Sequence, residues 1–131
     1  MAPKKKILVV DDEEGFLSLV KHALEIRGFE IIVAANAVEA GIELANELAS
    51  ELPNLILMDV KMLGIDGLQA CEAIKNNPLT KNIPIIIISA LSDEPYKRKA
   101  REIGVVEYFV KPLNMDKFIK KVKETLALKS A

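Results

Sequence analysis

One cysteine, Cys71, and one histidine, His22, in 131 residues leave no means for an internal disulfide and no Cys/His cluster to hold zinc. That thiol usage fits a reducing compartment. Neither sign of charge dominates: 18 basic against 19 acidic residues leave no whole-molecule field to draw the chain to nucleic acid or a membrane surface. Long hydrophobic runs are missing, and the longest present falls far short of a bilayer span. Met1-Ala2-Pro3 followed by Lys4 to Lys6 lacks the apolar stretch of a secretory signal. Internal repeats, low-complexity tracts and linkers are absent as well. The expectation is a cytoplasmic protein built as one domain over residues 1–131, with a core of about 5–128.

What is present is an alternation of short apolar runs with segments of helical period, the pattern of an α/β unit. Ile7 to Val10 reads as the first strand. Phe16, Val20 and Leu24, with Leu17 and Ala23 beside them, stripe a first helix that Gly28 stops. Phe29 to Ala34 follows as a strand, and Asn36 caps a second helix striped by Val38, Ile42 and Ala45 and followed by Pro53. Asn54 to Asp59 is the third strand. Gly64 and Gly67 mark an irregular loop before a third helix from about Leu68 to Asn77. Pro84 opens the fourth strand, and Ser92 or Asp93 caps a fourth helix that Gly104 ends. Val105 to Val110 is the fifth strand, and Asn114 caps a last helix striped by Phe118, Val122 and Leu126, with Met115 and Ile119 alongside. Strands this continuously apolar are expected to be buried on both faces of a parallel sheet, with helices as right-handed crossovers. Ligands of such sheets sit beyond the carboxyl ends of the strands.

Four of the apolar runs stop at polar residues: Asp11 and Asp12, Asp59, Ser89, and Lys111. Mg²⁺ takes oxygen ligands in near-octahedral geometry, usually from one or two carboxylates together with phosphate oxygens, and Asp11, Asp12 and Asp59 supply such a set. Without a cation, three crowded carboxylates repel. Asp11 and Asp12 form an adjacent pair suited to metal, so the solitary Asp59 is the better nucleophile for an acyl phosphate. Lys111 can then reach one phosphoryl oxygen and the Ser89 hydroxyl can donate to another, which neutralises charge as phosphoryl transfer requires.

Those residues fall in motifs: Val10-Asp11-Asp12-Glu13, Asp59 with Met62, Asp66 and Gly67 downstream, Ser89-Ala90, and Lys111-Pro112. In order and spacing the chain resembles, over nearly its whole length, the receiver domain of bacterial two-component response regulators, of the single-domain chemotaxis-regulator type. The resemblance implies a flavodoxin-like (βα)5 fold, a doubly wound parallel sheet of strand order 2-1-3-4-5. It implies a phosphoprotein: Asp59 is phosphorylated by a sensor histidine kinase or a histidine phosphotransfer protein, with Mg²⁺ as cofactor. Asp12, Asp59 and the backbone carbonyl of Lys61 would hold the metal, and Asp11 mainly through water. It also implies a switch, in which Ser89 moves to the phosphoryl group and the aromatic Tyr108 rotates into the space opened, reshaping the surface of the fourth helix, fifth strand and fifth helix for a downstream target protein. Lys97, Arg98, Lys99, Arg101 and the series from Lys117 to Lys123 lie on those helices and would make that face basic. Leu63 stands where many receivers have proline. Lys61 and Leu91 occupy positions that in the family tune acyl-phosphate hydrolysis, and their bulk implies slow loss of the phosphoryl group.

Such a module is not an enzyme toward other substrates, and its partners are proteins, not nucleic acid or membrane. It acts as a monomer or as a phosphorylation-dependent dimer. With no room for an output domain after the last helix, it is expected to be a stand-alone receiver or a piece of a longer regulator. A phosphohydrolase of related chemistry is disfavoured because Lys61 stands where its acid-base Asp belongs. The remaining alternative is a phosphate-independent receiver-like binding module, which does not need the intact set of five polar residues.

Overall fold

The structure, a computed structural model, describes residues 4–47, 51–61 and 66–130. Its elements alternate without exception: β1 (Lys6–Val10), α1 (Glu14–Glu25), β2 (Glu30–Ala34), α2 (Ala37–Glu47), β3 (Leu55–Met58), α3 (Gly67–Asn76), β4 (Ile85–Ser89), α4 (Glu94–Ile103), β5 (Glu107–Val110) and α5 (Met115–Ser130). The strands lie in the order β2-β1-β3-β4-β5, and every pairing is parallel. This is the doubly wound flavodoxin-like sheet expected from the sequence.

Period-two alternation divides the strand side chains between two cores. Ile7, Val9, Leu55, Leu57, Ile86 and Ile88 pack with Leu17, Val20 and Leu24 of α1 and Phe118, Val122 and Leu126 of α5. Leu8, Val10, Ile56, Met58, Ile85 and Ile87 pack on the other side with Ala40 and Leu44 of α2, Leu68, Cys71 and Ile74 of α3, and Ala100 of α4. Cys71 behaves as a small apolar core residue, and burial raises its thiol pKa to about 12. His22 is exposed on α1.

Local signals set the helix ends. Asn36 accepts from the Glu39 N–H at 2.9 Å while its amide donates back to the Glu39 carboxylate at 3.2 Å, a reciprocal cap. Asn114 accepts from the Lys117 N–H at 3.1 Å. Asp93 is the N-cap residue of α4 without a side-chain cap bond, so of the two candidates there it is Asp93 and not Ser92 that occupies the cap. Gly104 ends α4 at φ +100°, a left-handed conformation that favours glycine.

Two expectations are corrected. The outer strands β2 and β5 are only partly buried, because an edge strand has a neighbour on one side alone. In α2 the inward stripe is Ala40 and Leu44, while Val38 (63% exposed) and Ile42 (55%) face outward and Ala45 is exposed. Both stripes have helical spacing. Small Ala37, Ala40 and Gly41 line an apolar cavity of ≈ 390 Å³ with Met58 and with Ala70, Ala73 and Ile74 of α3, and it is that stripe that meets the sheet.

Gly67 starts α3 against the segment that follows β3. Its N–H donates to the Val60 carbonyl at 2.6 Å, and a Cβ built on it would sit on the Asp59 carbonyl oxygen and 2.8 Å from the Val60 Cα. Gly67→Ala should therefore force backbone apart and destabilise the chain by about 2 kcal/mol or more, read as a lower urea midpoint at unchanged slope. A midpoint within error of the parent would contradict this packing.

Candidate functional site

Backbone register carries the polar residues to one edge of the sheet. The Asp59 N–H donates to the Val10 carbonyl at 3.0 Å, the Asp11 N–H to the Ala34 carbonyl at 3.1 Å, and the Lys111 N–H to the Ser89 carbonyl at 2.8 Å. Each bond extends its ladder one step past the strand end, so β1, β3, β4 and β5 release their polar residues side by side. The peptide bond between Lys111 and Pro112 is cis.

Asp11, Asp12 and Asp59 each bring a carboxylate oxygen within 4.8 Å of the others. Asp11 and Asp59 are buried, at 2% and 6% exposure, whereas Asp12 is exposed. Lys111 enters this cluster from β5. Its Nζ donates to Asp11 Oδ2 at 2.9 Å and lies 3.7 Å from Glu13 Oε1 and 3.9 Å from Asp59 Oδ2. The second oxygen of Asp11 accepts the Glu13 N–H at 2.9 Å, which fixes the turn into α1.

Lys111 is thus committed to Asp11, and Asp59 is left under-compensated. Burial first, and the Asp11 charge second, raise the Asp59 pKa to about 6, against the opposing pull of Lys111 and of the Val60 and Lys61 backbone N–H groups. Burial also works to lower the Lys111 pKa, but the hydrogen bond and charge of Asp11, with Asp59 and Glu13, outweigh it and the net shift is upward. A carboxylate in this environment is favoured by any positive charge brought near it.

Ser89 is fully buried at the end of β4, and its Oγ accepts the Leu91 N–H at 3.1 Å. The Tyr108 hydroxyl donates to the Leu91 carbonyl at 2.6 Å, and burial raises its pKa. Both side chains therefore grip the same residue of the β4–α4 connection. Lys61 is exposed immediately after this edge. Asp66, part of the downstream motif, accepts the Leu68 and Gln69 N–H groups at 2.7 and 3.0 Å and so caps α3. Met62, Leu63 and Gly64, which the sequence pattern assigns to the motif and its loop, lie outside the described residues.

Two contributors escaped the sequence reading. The sequence pattern assigns Glu13 to its motif without a task and Phe16 only to the α1 stripe. The Lys111 ammonium lies over the Phe16 ring, 4.2 Å from its centroid. No local signal pairs a residue of α1 with one about a hundred positions later.

With this geometry in place, the chain can be set against known proteins. Residues 7–123 match the family model of the response regulator receiver domain. The chain belongs to that family. It is 32% identical over 126 residues to sporulation initiation phosphotransferase F of Bacillus subtilis, covering 96% of this chain and 97% of that protein. It is also 32% identical over 121 residues to the phosphate regulon transcriptional regulatory protein PhoB of Rhizobium meliloti, covering 92% of this chain and 52% of that protein. The receiver domain thus spans about half the length of several transcriptional regulators that it matches. A solved structure described as a putative response regulator from Chloroflexus aurantiacus superposes with a TM-score of 0.86 at 31% identity, covering 95% of this chain and 98% of that one. The receiver domain is a signalling domain of two-component systems. Among its described residues no helix is long and apolar enough to cross a membrane.

The raised Asp59 pKa has a stability signature. The folded chain holds the proton more tightly than the unfolded one, so protonated Asp59 leaves stability intact below about pH 4, and its ionisation erodes stability as pH rises from there through about 6. At pH 7.5 Asp59→Asn should raise unfolding stability by about 2 kcal/mol, with the gain shrinking to near zero by about pH 4. A gain that is absent at pH 7.5, or that grows on acidification, would contradict the electrostatic reading.

Proposed function

We propose that this receiver domain accepts a phosphoryl group on Asp59 from a phosphohistidine of a sensor histidine kinase or histidine phosphotransfer protein, with Mg²⁺ as cofactor. The observation that carries the reading is the buried Asp59 carboxylate, raised to a pKa of about 6, within 4.8 Å of two further aspartates and 3.9 Å from Lys111. The donor set fits a divalent cation: three carboxylate oxygens converge, and the lysine that meets them is paired with one of the three. Asp12, Asp59 and the Lys61 carbonyl would hold the ion directly and Asp11 mainly through water. When bound, Mg²⁺ supplies charge neutralisation at the phosphoryl oxygens.

In the transfer an Asp59 oxygen forms a bond to phosphorus as the P–N bond of the donor breaks, giving the acyl phosphate and returning the imidazole to its owner. Lys111 exchanges its bond to Asp11 for one to a phosphoryl oxygen, a shift that its 2.9 and 3.9 Å separations from Asp11 and Asp59 make short. Ser89 donates to another oxygen. These tasks make the domain a catalyst of its own phosphorylation and dephosphorylation only.

The same residues offer a route to the surface. If the Ser89 hydroxyl turns to the phosphoryl group, the Leu91 N–H loses its acceptor, and the connection that Tyr108 holds through the Leu91 carbonyl is freed. Tyr108 then rotates, and the face of α4, β5 and α5 changes shape for a downstream target protein. Basic residues from Lys97 to Arg101 and from Lys117 to Lys123 stand there, although Arg101 pairs with Glu94 at 2.6 Å and Lys99 with Glu72 at 3.4 Å. The reading places a single receiver domain in the cytoplasm, with a core of about residues 5–128, acting as a monomer or a phosphorylation-dependent dimer.

Incubation with acetyl phosphate and Mg²⁺ should add one phosphoryl group by intact mass, with no addition in Asp59→Asn or in the presence of EDTA. Lys111→Ala should slow the uptake by roughly a hundredfold, the scale of losing one charge-stabilising donor. No uptake under any condition would instead favour the phosphate-independent binding module.

Exposed Lys61 and half-buried Leu91 are the side chains proposed to screen the acyl phosphate from attacking water. After removal of the phosphodonor the parent should keep its phosphoryl group for hours, and Lys61→Ala with Leu91→Ala should shorten that lifetime several-fold. Loss within a minute from the parent would sink this assignment.

A further inference from the structure

We infer that Phe16 is a positioning residue for the phosphoryl-transfer step, holding the Lys111 ammonium at the site through its ring face; the inference rests on the phosphoacceptor reading of Asp59. Four groups surround the ammonium: Asp11 at 2.9 Å, Glu13 at 3.7 Å, Asp59 at 3.9 Å and the Phe16 ring centroid at 4.2 Å. Three are carboxylates, and two of these belong to the cluster fitted to a cation. A divalent ion placed among those oxygens weakens their hold on a positive lysine by competition. The aromatic ring has no such competitor in the cluster.

Phe16 is therefore the partner whose attraction persists while Lys111 leaves Asp11 for a phosphoryl oxygen. The ring quadrupole attracts an ammonium over its face, and more strongly where water is kept away. Here the lysine side chain is only 18% exposed. A flexible four-carbon stem freed from its carboxylate would otherwise sample solvent, and each excursion removes the charge from the reacting oxygens. Glu13 cannot substitute for the ring: its side chain is 65% exposed, and a negative charge opposes the approach of a phosphodonor.

Packing is the competing role, since Phe16 also lies against the core formed by Val9, Leu17, Val20 and Phe118. Phe16→Leu keeps an apolar side chain on that core and removes the ring face, whereas Phe16→Tyr keeps the ring. Two readouts separate the roles. One is the initial rate of phosphorylation by acetyl phosphate with Mg²⁺, a small donor that makes no use of a protein docking surface. The other is the proton chemical shift of the Lys111 ε-methylene in protein without donor or metal, which the ring current displaces upfield.

Expected is a rate about three- to tenfold lower in Phe16→Leu with the upfield displacement lost, and both restored in Phe16→Tyr. Thermal midpoints are compared for all three chains, and should Phe16→Leu not fold, Phe16→Met replaces it. Equal rates in the parent and Phe16→Leu, or a parent without the upfield displacement, overturn the inference while leaving the phosphoacceptor reading intact. Rates lowered equally in the Leu and Tyr variants assign Phe16 to packing and overturn it too. No uptake by the parent overturns the phosphoacceptor reading, and this inference with it.

Discussion

Two buried carboxylates, Asp11 and Asp59, share one ammonium, and the sharing is unequal. Lys111 hydrogen-bonds Asp11 at 2.9 Å and stands off Asp59 at 3.9 Å. The asymmetry leaves Asp59 with an unbalanced desolvation penalty, and its raised pKa expresses that imbalance. The fold supports the arrangement from behind. Strands β1, β3 and β4 are buried nearly throughout, and their hydrogen-bond ladders run on to the residues that carry the charges. An apolar sheet edge thereby holds acids in a place where water alone cannot stabilise them.

Burial and charge pull in opposite directions at that edge. Burial makes the charge on Asp59 costly, and positive charge near it offsets that cost. Lys111 hydrogen-bonds Asp11, while Glu13, Asp59 and the Phe16 ring stand farther off around the same ammonium. Ser89 and Tyr108 both hold Leu91, one through its N–H and the other through its carbonyl.

Much of this was legible in the chain itself. The runs ending at Asp11, Asp59, Ser89 and Lys111 marked strand ends, and Asn36 and Asn114 marked helix starts, because each is a local chemical signal. The second helix turns a different face to the sheet from the one its larger apolar stripe suggests. Val38, Ile42 and Ala45 and the stripe of Ala40 and Leu44 have equally good helical spacing, so period alone does not separate the two faces. Periodicity does not say which of two such stripes the sheet will meet, and in the folded chain Ala40 and Leu44 are the buried ones. The half-buried outer strands have a related cause, since an apolar run does not state whether it will have one neighbour or two.

By itself, then, the sequence determined the class of fold, the set of polar residues and the family, since these follow from periodicity, strand-end chemistry and motif order along the chain. Tertiary structure alone decided which carboxylate takes the lysine, which is left short of charge, and that an aromatic ring of α1 lies beneath an ammonium from β5. Asp11 and Lys111 are separated by 100 positions and meet through the order and register of intervening strands. Distances of one ångström between competing partners depend on that register, and no local pattern of residues encodes them.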